Sequence, residues 1–446
     1  MTKVTNFFTD LMRKYLPDPF VFAIGLTLLT VVLAVLVQGQ SVVDTSAAWG
    51  KGFWNLLSFT TQVAVMLAMG YVVASAPIVN RLLNRLVDLV HRPRTAIIVA
   101  TLVGGVGSYL NWAFGLVIGG IVAKKLASKV KGVHYPLIIA AAYSGFTLYG
   151  TGLSASIPVL ISTPGHPMEK QMGVIPLSET IFTLPMIITS LVIIVTLPLL
   201  NAWLHPKNKE EIIEYNSEAD LAASETAVGS HAAQRPVTFA SKVNNSRLLS
   251  LIIGAFGFTY IVYHFVTGGS LDFNIINCII LFGGILLLGT PAHYVAQLNE
   301  GIKTVSGILL QYPFYAGIMA VMAASGLVDT ISEIFVKLSG ASTLPLWGLW
   351  SSYVINFFVP SGGGHWVVQG PFMIEAAKQL NASLSQTAMS VMLGNAWNDL
   401  IQPFWILPVL AISNLKLKDI MGYLVIMMLW VGIIYSIAVL GWGFMG

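Results

Sequence analysis

The chain has 446 residues, 56% of them hydrophobic and 9% charged, with a mean hydropathy of +0.78; no soluble core of this size needs so much apolar sequence, so the chain belongs in lipid. A single cysteine, Cys278, excludes a disulfide framework and a cysteine-based metal site. The formal net charge of +4 informs only through where the charges lie.

In chain order, the N-terminal segment carries Asp10, Arg13, Lys14 and Asp18 without a small-residue cleavage site, so it is not expected to be a removed signal peptide. A helix crossing the hydrocarbon takes roughly 20 apolar residues. Spans are predicted at residues 20–38, 56–78, 135–163, 180–203, 248–267, 273–290, 303–327, 385–413 and 420–444. Two more apolar segments, 95–124 and 343–376, are too long for one upright helix, too short for two, and interrupted by Gly, Asn and Ser. Both are predicted to be re-entrant hairpins, whose tips need protein or a polar cavity around them to satisfy the backbone. Residues 205–247 are polar and rich in Glu, Ser and Ala, as expected of a cytoplasmic linker.

Charge supports the hairpins. With the N-terminus cytoplasmic, nineteen of the 23 Lys and Arg residues fall inside, leaving Lys51, Lys170, Lys337 and Lys378 outside. Counting 95–124 as one crossing would instead put Lys124, Lys125, Lys129 and Lys131 across the membrane from Arg81, Arg85, Arg92 and Arg94. The expectation is a multi-pass inner-membrane protein with its C-terminus periplasmic.

The sequence also resembles itself. At an offset of 249, Gly52 falls on Gly301 and Gln62 on Gln311; at 250, the segment 156–163 falls on 406–413 with Pro158 on Pro408. Between them, the stretch from Ser108 resembles that from Ser352. Residues 1–204 and 268–446 then form two repeats, an odd number of crossings between Phe20 and Phe273 inverts the second, and 248–267 is left unpaired. The expected fold class is an all-α polytopic membrane protein with two inverted repeats, about nine membrane-spanning helices and two re-entrant hairpins. Inverted repeats with interrupted helices imply alternating access around a midplane site.

Polar residues at membrane depth cluster where this repeat places a site. The first hairpin offers Ser108 and Asn111; the second offers Asn356, Ser361, Gly363 and His365. The span 135–163 carries Ser144, Thr147 and Thr151 around Gly150 and Gly152, a sequence ill suited to a continuous helix. Its counterpart carries Asn395, Asn398 and Asp399 ahead of Pro403. Interrupted elements meeting at mid-depth aim helix N-termini inward, which suits a small anion. Ser and Thr are equally ordinary helix-packing residues in membranes. Asp399 is the only acid well inside a predicted span, and without a basic partner there it is expected to bind a cation or carry a proton. With no Lys or Arg deep in any span, a substrate carboxylate would be held by neutral donors, which favours a small monocarboxylate with an apolar tail. No phosphate loop, nucleophile elbow or Cys-His cluster appears, so no cofactor and no nucleic-acid partner is expected.

Residues 163–169 (TPGHPME), 356–372 (NFFVPSGGGHWVVQGPF) and 394–411 (GNAWNDLIQPFWILPVLA), with the opening YLPDPFVFAIGLT at 15–27, resemble the bacterial short-chain fatty acid transporter family over nearly the whole chain. The resemblance implies uptake of short monocarboxylates such as butyrate or acetoacetate, in a superfamily of ion-coupled carriers with paired hairpins, often moving as elevators. It implies that hairpin tips and the following broken helices bind substrate and, in some members, sodium. Ser108, Asn111, Asn356, Ser361, Asn395 and Asn398 stand in comparable places. The chain departs from better-described members in having two spans rather than three ahead of each hairpin, and an unpaired span near Leu248; a homodimer and the choice between Na+ and H+ stay open. A passive anion channel, or a membrane-embedded acyl-transferring enzyme using His365 and Asp399, are the alternatives.

Overall fold

The computed structural model describes residues 19–216 and 238–445; the described residues contain helices and no strand. The expected segment ahead of the first span and the centre of the expected 205–247 linker lie outside the described residues. In the first half, α1 (Pro19–Leu36), α2 (Val42–Gly52), α3 (Leu57–Ala74) and α4 (Pro77–Asp88) lead to the paired α5 (Pro93–Leu110) and α6 (Trp112–Lys129). Then α7 (Tyr135–Ser144) runs into a 3-10 turn over Gly145–Thr151 and the short α8 (Ser156–Ile161), followed by α9 (Leu184–Trp203). After α10 (Arg247–Val266), a similar order returns: α11 (Phe273–Leu288), α12 (Pro291–Ile302), α13 (Ser306–Ser325) and α14 (Leu327–Leu338). The chain closes with α15 (Leu344–Ile355), α16 (Gly362–Leu380), α17 (Leu384–Asn398), α18 (Pro403–Ser413) and α19 (Leu417–Met445). Proline has a helical φ and lacks the N–H that a first turn leaves unpaired, and Pro77, Pro93, Pro291 and Pro403 each open a helix.

Seven helices among the described residues are long and apolar enough to cross a bilayer. Six fall on predicted spans, and the seventh is α5, an arm of the first hairpin. The remaining predicted spans are met by shorter or broken apolar elements, α1, α11 and α17–α18. The sequence reading placed no separate element at α2, α4, α12 or α14, which have only 11 or 12 residues each.

The first hairpin extends beyond the predicted 95–124, with 18 residues in each arm. Its arms meet through small residues: a Cβ on Gly115 would lie 2.1 Å from Ser108 Oγ, and one on Gly119 would lie 3.2 Å from Gly104 Cα. The second pair, over the re-entrant hairpin predicted for 343–376, is more open than the first. There α15 packs chiefly along α17, where a Cβ on Gly394 would lie 2.2 Å from the Leu349 carbonyl oxygen, and α16 lies between α13 and α17. The tip explains the difference, since Asn111 alone separates α5 from α6 while residues 356–361 separate α15 from α16.

Packing partners recur with the halves exchanged. Helices α1 and α2 lie on α13, and α11 and α12 lie on α3. Likewise α6 packs on α3, α4 and α18, whereas α16 packs on α13, α14 and α8. Most buried apolar side chains form one cluster running through both halves, and every residue of α7 is buried. By contrast α10 is exposed along most of its length.

Candidate transport site

Asp399 sits in the break between α17 and α18 and is fully buried. Tyr149, from the 3-10 turn of the first half, donates its hydroxyl to Asp399 Oδ2 at 2.6 Å, and the same hydroxyl lies 2.5 Å from Asn395 Oδ1. Asn356 Nδ2 donates to Asp399 Oδ1 at 2.7 Å and to Asn398 Oδ1 at 3.2 Å. Asn395 Nδ2 donates back to Asn356 Oδ1, Gln402 Nε2 donates to the Asn356 carbonyl at 2.9 Å, and the Tyr143 hydroxyl donates to the Asp399 carbonyl. All these donors are neutral. The carboxylate is therefore held without a counter-charge among the described residues, in a setting of amide and carboxylate oxygens that suits a hard monovalent cation or a proton. No group of three or more His, Cys, Asp or Glu side chains gathers to hold a metal ion among the described residues.

The network continues into α16. His365 Nδ1 lies 3.4 Å from Asn356 Oδ1; its Nε2 lies 2.5 Å from Gln369 Oε1 and 3.1 Å from Ser352 Oγ. Gln369 Nε2 then donates to Ser351 Oγ at 2.9 Å. His365 is thus a fully buried polar link between the carboxylate cluster and α15, rather than a group facing an open pocket.

Beside this cluster lies a small cavity of about 10 Å³ lined by Trp112, Tyr149, Ser156, Tyr312, Gly362 and Trp405, with Val63, Phe146 and Ile308 as further apolar wall. Trp112 is the first residue of α6, Gly362 the first of α16 and Ser156 the first of the short α8, while Trp405 lies in the first turn of α18. First-turn amides have no partner within their own helix. At α16 the capping serine does not supply one, because Ser361 Oγ is 2.6 Å from the Tyr312 hydroxyl and makes no side-chain cap. The buried Trp405 Nε1 also has no hydrogen-bond partner. Among the described residues no charged side chain lines this cavity. Tyr149 touches it and donates to Asp399, and a Cβ on Gly362 would lie 2.8 Å from Ser156 Cβ and 3.2 Å from Asn395 Oδ1, so cavity and carboxylate cluster are adjacent.

Of the residues singled out from sequence, Asn356, His365, Asn395, Asn398 and Asp399 meet in the carboxylate network, and Ser361 lies at the cavity. Gly363 packs against Phe59, whose ring a Cβ there would meet at 2.3 Å. Asn111 lies at its hairpin tip, where Oδ1 accepts from Phe114 N at 2.9 Å while Nδ2 is buried without a partner. Ser108 is buried at the arm contact, its hydroxyl also unpartnered. Ser144 and Thr151 turn instead towards α9: Asn201 Nδ2 donates to Ser144 Oγ at 2.9 Å, and Ser190 Oγ donates to Thr151 Oγ1 at 2.7 Å. Thr147 binds Tyr435 of α19, whose hydroxyl donates to its carbonyl at 2.9 Å. Sequence reasoning missed Tyr149, Gln369 and the aromatic cavity wall. A signal for Tyr149 existed, since it stands 250 residues before Asp399, the offset of the internal resemblance.

Comparisons with known proteins identify the family of the chain. The family described as short chain fatty acid transporter matches residues 1–441. A relative from Escherichia coli (strain K12), provisionally named a short-chain fatty acid transporter, is 38% identical over 436 residues, covering 98% of each chain. One from Haemophilus influenzae (strain ATCC 51907 / DSM 11121 / KW20 / Rd), given the same provisional name, is 38% identical over 431 residues, covering 95% of this chain and 96% of its own. Among solved structures, the Alcanivorax borkumensis YdaH transporter, described as having an unusual topology, matches with a TM-score of 0.57 at 13% identity, covering 96% of this chain and 98% of that one. That likeness concerns the fold alone. Family and relatives are transporters rather than enzymes, which removes the acyl-transfer alternative. Matched by the family and by these relatives over nearly its full length, this multi-pass membrane chain belongs to the short-chain fatty acid transporter family.

Proposed function

We propose that the protein is a secondary carrier that moves a small monocarboxylate, such as butyrate or acetoacetate, together with one cation by alternating access. The observation that carries this reading is the convergence of the starts of α6, α16 and α18 on one uncharged, aromatic-walled cavity beside a buried carboxylate. Helix N-termini and the Trp405 N–H favour a carboxylate head, and Val63, Phe146 and Ile308 favour a short apolar tail. Asp399 with the oxygens of Asn395 and Asn398 is the coupling site, for sodium or a proton, and Tyr149 links it to the substrate. At about 10 Å³ the cavity has room for roughly one water, so substrate entry requires the walls to part.

The exchange of packing partners between α1–α9 and α11–α19 supports two inverted repeats, and hence two alternative openings of one site. A cleft of about 560 Å³ between α1, α13 and α18 reaches Pro360, Gln402 and Phe404 beside the cluster. The exchanged position between α11 and α3 is filled, with Phe59 on Phe273 and Gln62 Nε2 donating to Asn274 Oδ1 at 2.8 Å. With the N-terminus cytoplasmic, the open cleft faces the cytoplasm. The test is counterflow in proteoliposomes: vesicles preloaded with unlabelled butyrate should transiently accumulate labelled butyrate above equilibrium. Simple equilibration, with no overshoot, would replace the carrier with the channel.

A further inference from the structure

Away from the transport site, a second cleft of about 480 Å³ opens where α10 begins and α11 ends. Arg81 of α4, Arg247 of α10 and His293 of α12 stand around it, and Leu251, Leu286 and Leu287 form its apolar wall. Neither arginine has a carboxylate partner among the described residues; Arg81 Nε donates to the Pro77 carbonyl of its own helix at 3.4 Å. Ser250 also lines the cleft, 1% exposed, with its hydroxyl unpartnered. A buried hydroxyl without a partner is costly, so this side chain is set for an acceptor that enters the cleft.

The location specifies the acceptor further. Arg247 is the first residue of α10 and Leu288 the last of α11, and Arg81 and His293 line the same cleft, so the basic groups gather where two apolar helices end, which for spanning helices is the headgroup region. The wall continues onto the exposed Leu248, Leu251 and Ile252 of α10, a surface for acyl chains and not for a free ion. We propose that this cleft binds the phosphate of an anionic phospholipid. The two guanidinium groups hold the phosphate oxygens, Ser250 donates to one of them, and an acyl chain lies along Leu251 and Leu286. The bound lipid joins α10, the span without a counterpart in the other half, to α4 and α12.

Native mass spectrometry of the detergent-purified protein, titrated with phosphatidylglycerol, phosphatidylcholine or inorganic phosphate, tests this. Wild type should retain phosphatidylglycerol in preference to phosphatidylcholine, and the R81Q/R247Q pair should weaken that binding by about 30-fold, roughly five- to sixfold per basic group. Ser250→Leu, which keeps both arginines and fills the cleft, should also lose it. Arg85→Gln removes a charge from the same helix outside the cleft and should leave binding unchanged. Equal retention of the two lipids, unchanged binding by the double variant, or an Arg85→Gln loss as large as that of Arg81→Gln would overturn the proposal. Inorganic phosphate displacing the lipid at equal concentration would also overturn it, by making the cleft a soluble-anion site.

Discussion

Replacing Asp399 with asparagine removes the buried carboxylate's charge at almost constant volume, and the structure says how much stability that should cost. The ionised group receives two charge-assisted bonds, from Tyr149 at 2.6 Å and Asn356 at 2.7 Å, each worth about 1.5–3 kcal/mol against about 1 kcal/mol for a neutral bond. The substitution therefore forfeits about 1–4 kcal/mol of hydrogen bonding. It also removes an insertion cost of about 2.5–3.5 kcal/mol for an aspartate at the centre of a span. These nearly cancel, so the variant should fold with an unfolding midpoint within a few degrees of wild type. Energy coupling is another matter, because an amide neither takes up a proton at neutral pH nor neutralises sodium. In proteoliposomes with an imposed tenfold sodium gradient or a one-unit pH gradient, wild type should accumulate butyrate towards about tenfold, or about 1.4 kcal/mol. The variant should stop at equal concentrations while butyrate exchange persists. Accumulation by Asp399→Asn to the wild-type ratio would refute the assignment, and loss of exchange in a folded variant would move Asp399 from coupling to substrate binding.

The tip asparagines should differ. Asn356→Ala removes the donor to the buried Asp399 Oδ1 and should cost about 1.5–3 kcal/mol in thermal unfolding; Asn111→Ala, whose Nδ2 has no protein partner, should raise the butyrate half-saturation instead. Gly115→Ala puts a Cβ 2.1 Å from both the Ser108 backbone nitrogen and its Oγ, and overpacking of that kind should cost about 1–3 kcal/mol in thermal unfolding, whereas Gly25→Ala, with nothing within 4 Å, should cost nothing. Burial and the neighbouring His205 push His134 below the ordinary histidine value, and its ring accepts from Ile213 N at 3.0 Å. A depressed pKa means that the unfolded chain binds the proton first, so this residue's contribution is complete above about pH 6.5 and is lost as pH falls through the folded value; His134→Asn should flatten the fall in unfolding midpoint below pH 6.5.

The long apolar helices could be read from sequence because roughly 20 uncharged residues have few other uses, and the first helix pair because Lys124, Lys125, Lys129 and Lys131 cannot comfortably be separated from Arg81 to Arg94. The short helices α2, α4, α12 and α14 escaped a window set for full crossings. At the site, Asn356, Asn395, Asn398 and Asp399 stood out because polar groups are expensive at that depth. Ser144 and Thr151 lie on the same interrupted span as Tyr149, but the tighter winding of a 3-10 turn decides which side chain faces which neighbour, and composition does not report it. Tyr149, Trp112 and Trp405 were invisible for a different reason. An aromatic residue in an apolar span reads as core until it is seen to line a cavity or to donate to a buried carboxylate.

The cavity's lack of any charged wall has a bioenergetic consequence. On the proposed one-to-one coupling, a carboxylate travelling with one monovalent cation, past Asp399 as the only charge beside the site among the described residues, adds no net charge to the moving unit. Such a cycle is electrically silent: the membrane voltage contributes nothing to accumulation, and the steady-state ratio follows the chemical gradient of the co-ion alone. A cell using it to take up a dilute carboxylate would be limited by that gradient, and would release the same compound whenever its internal concentration rose above the limit. Uptake and overflow are then one reversible reaction, with its direction set by metabolism.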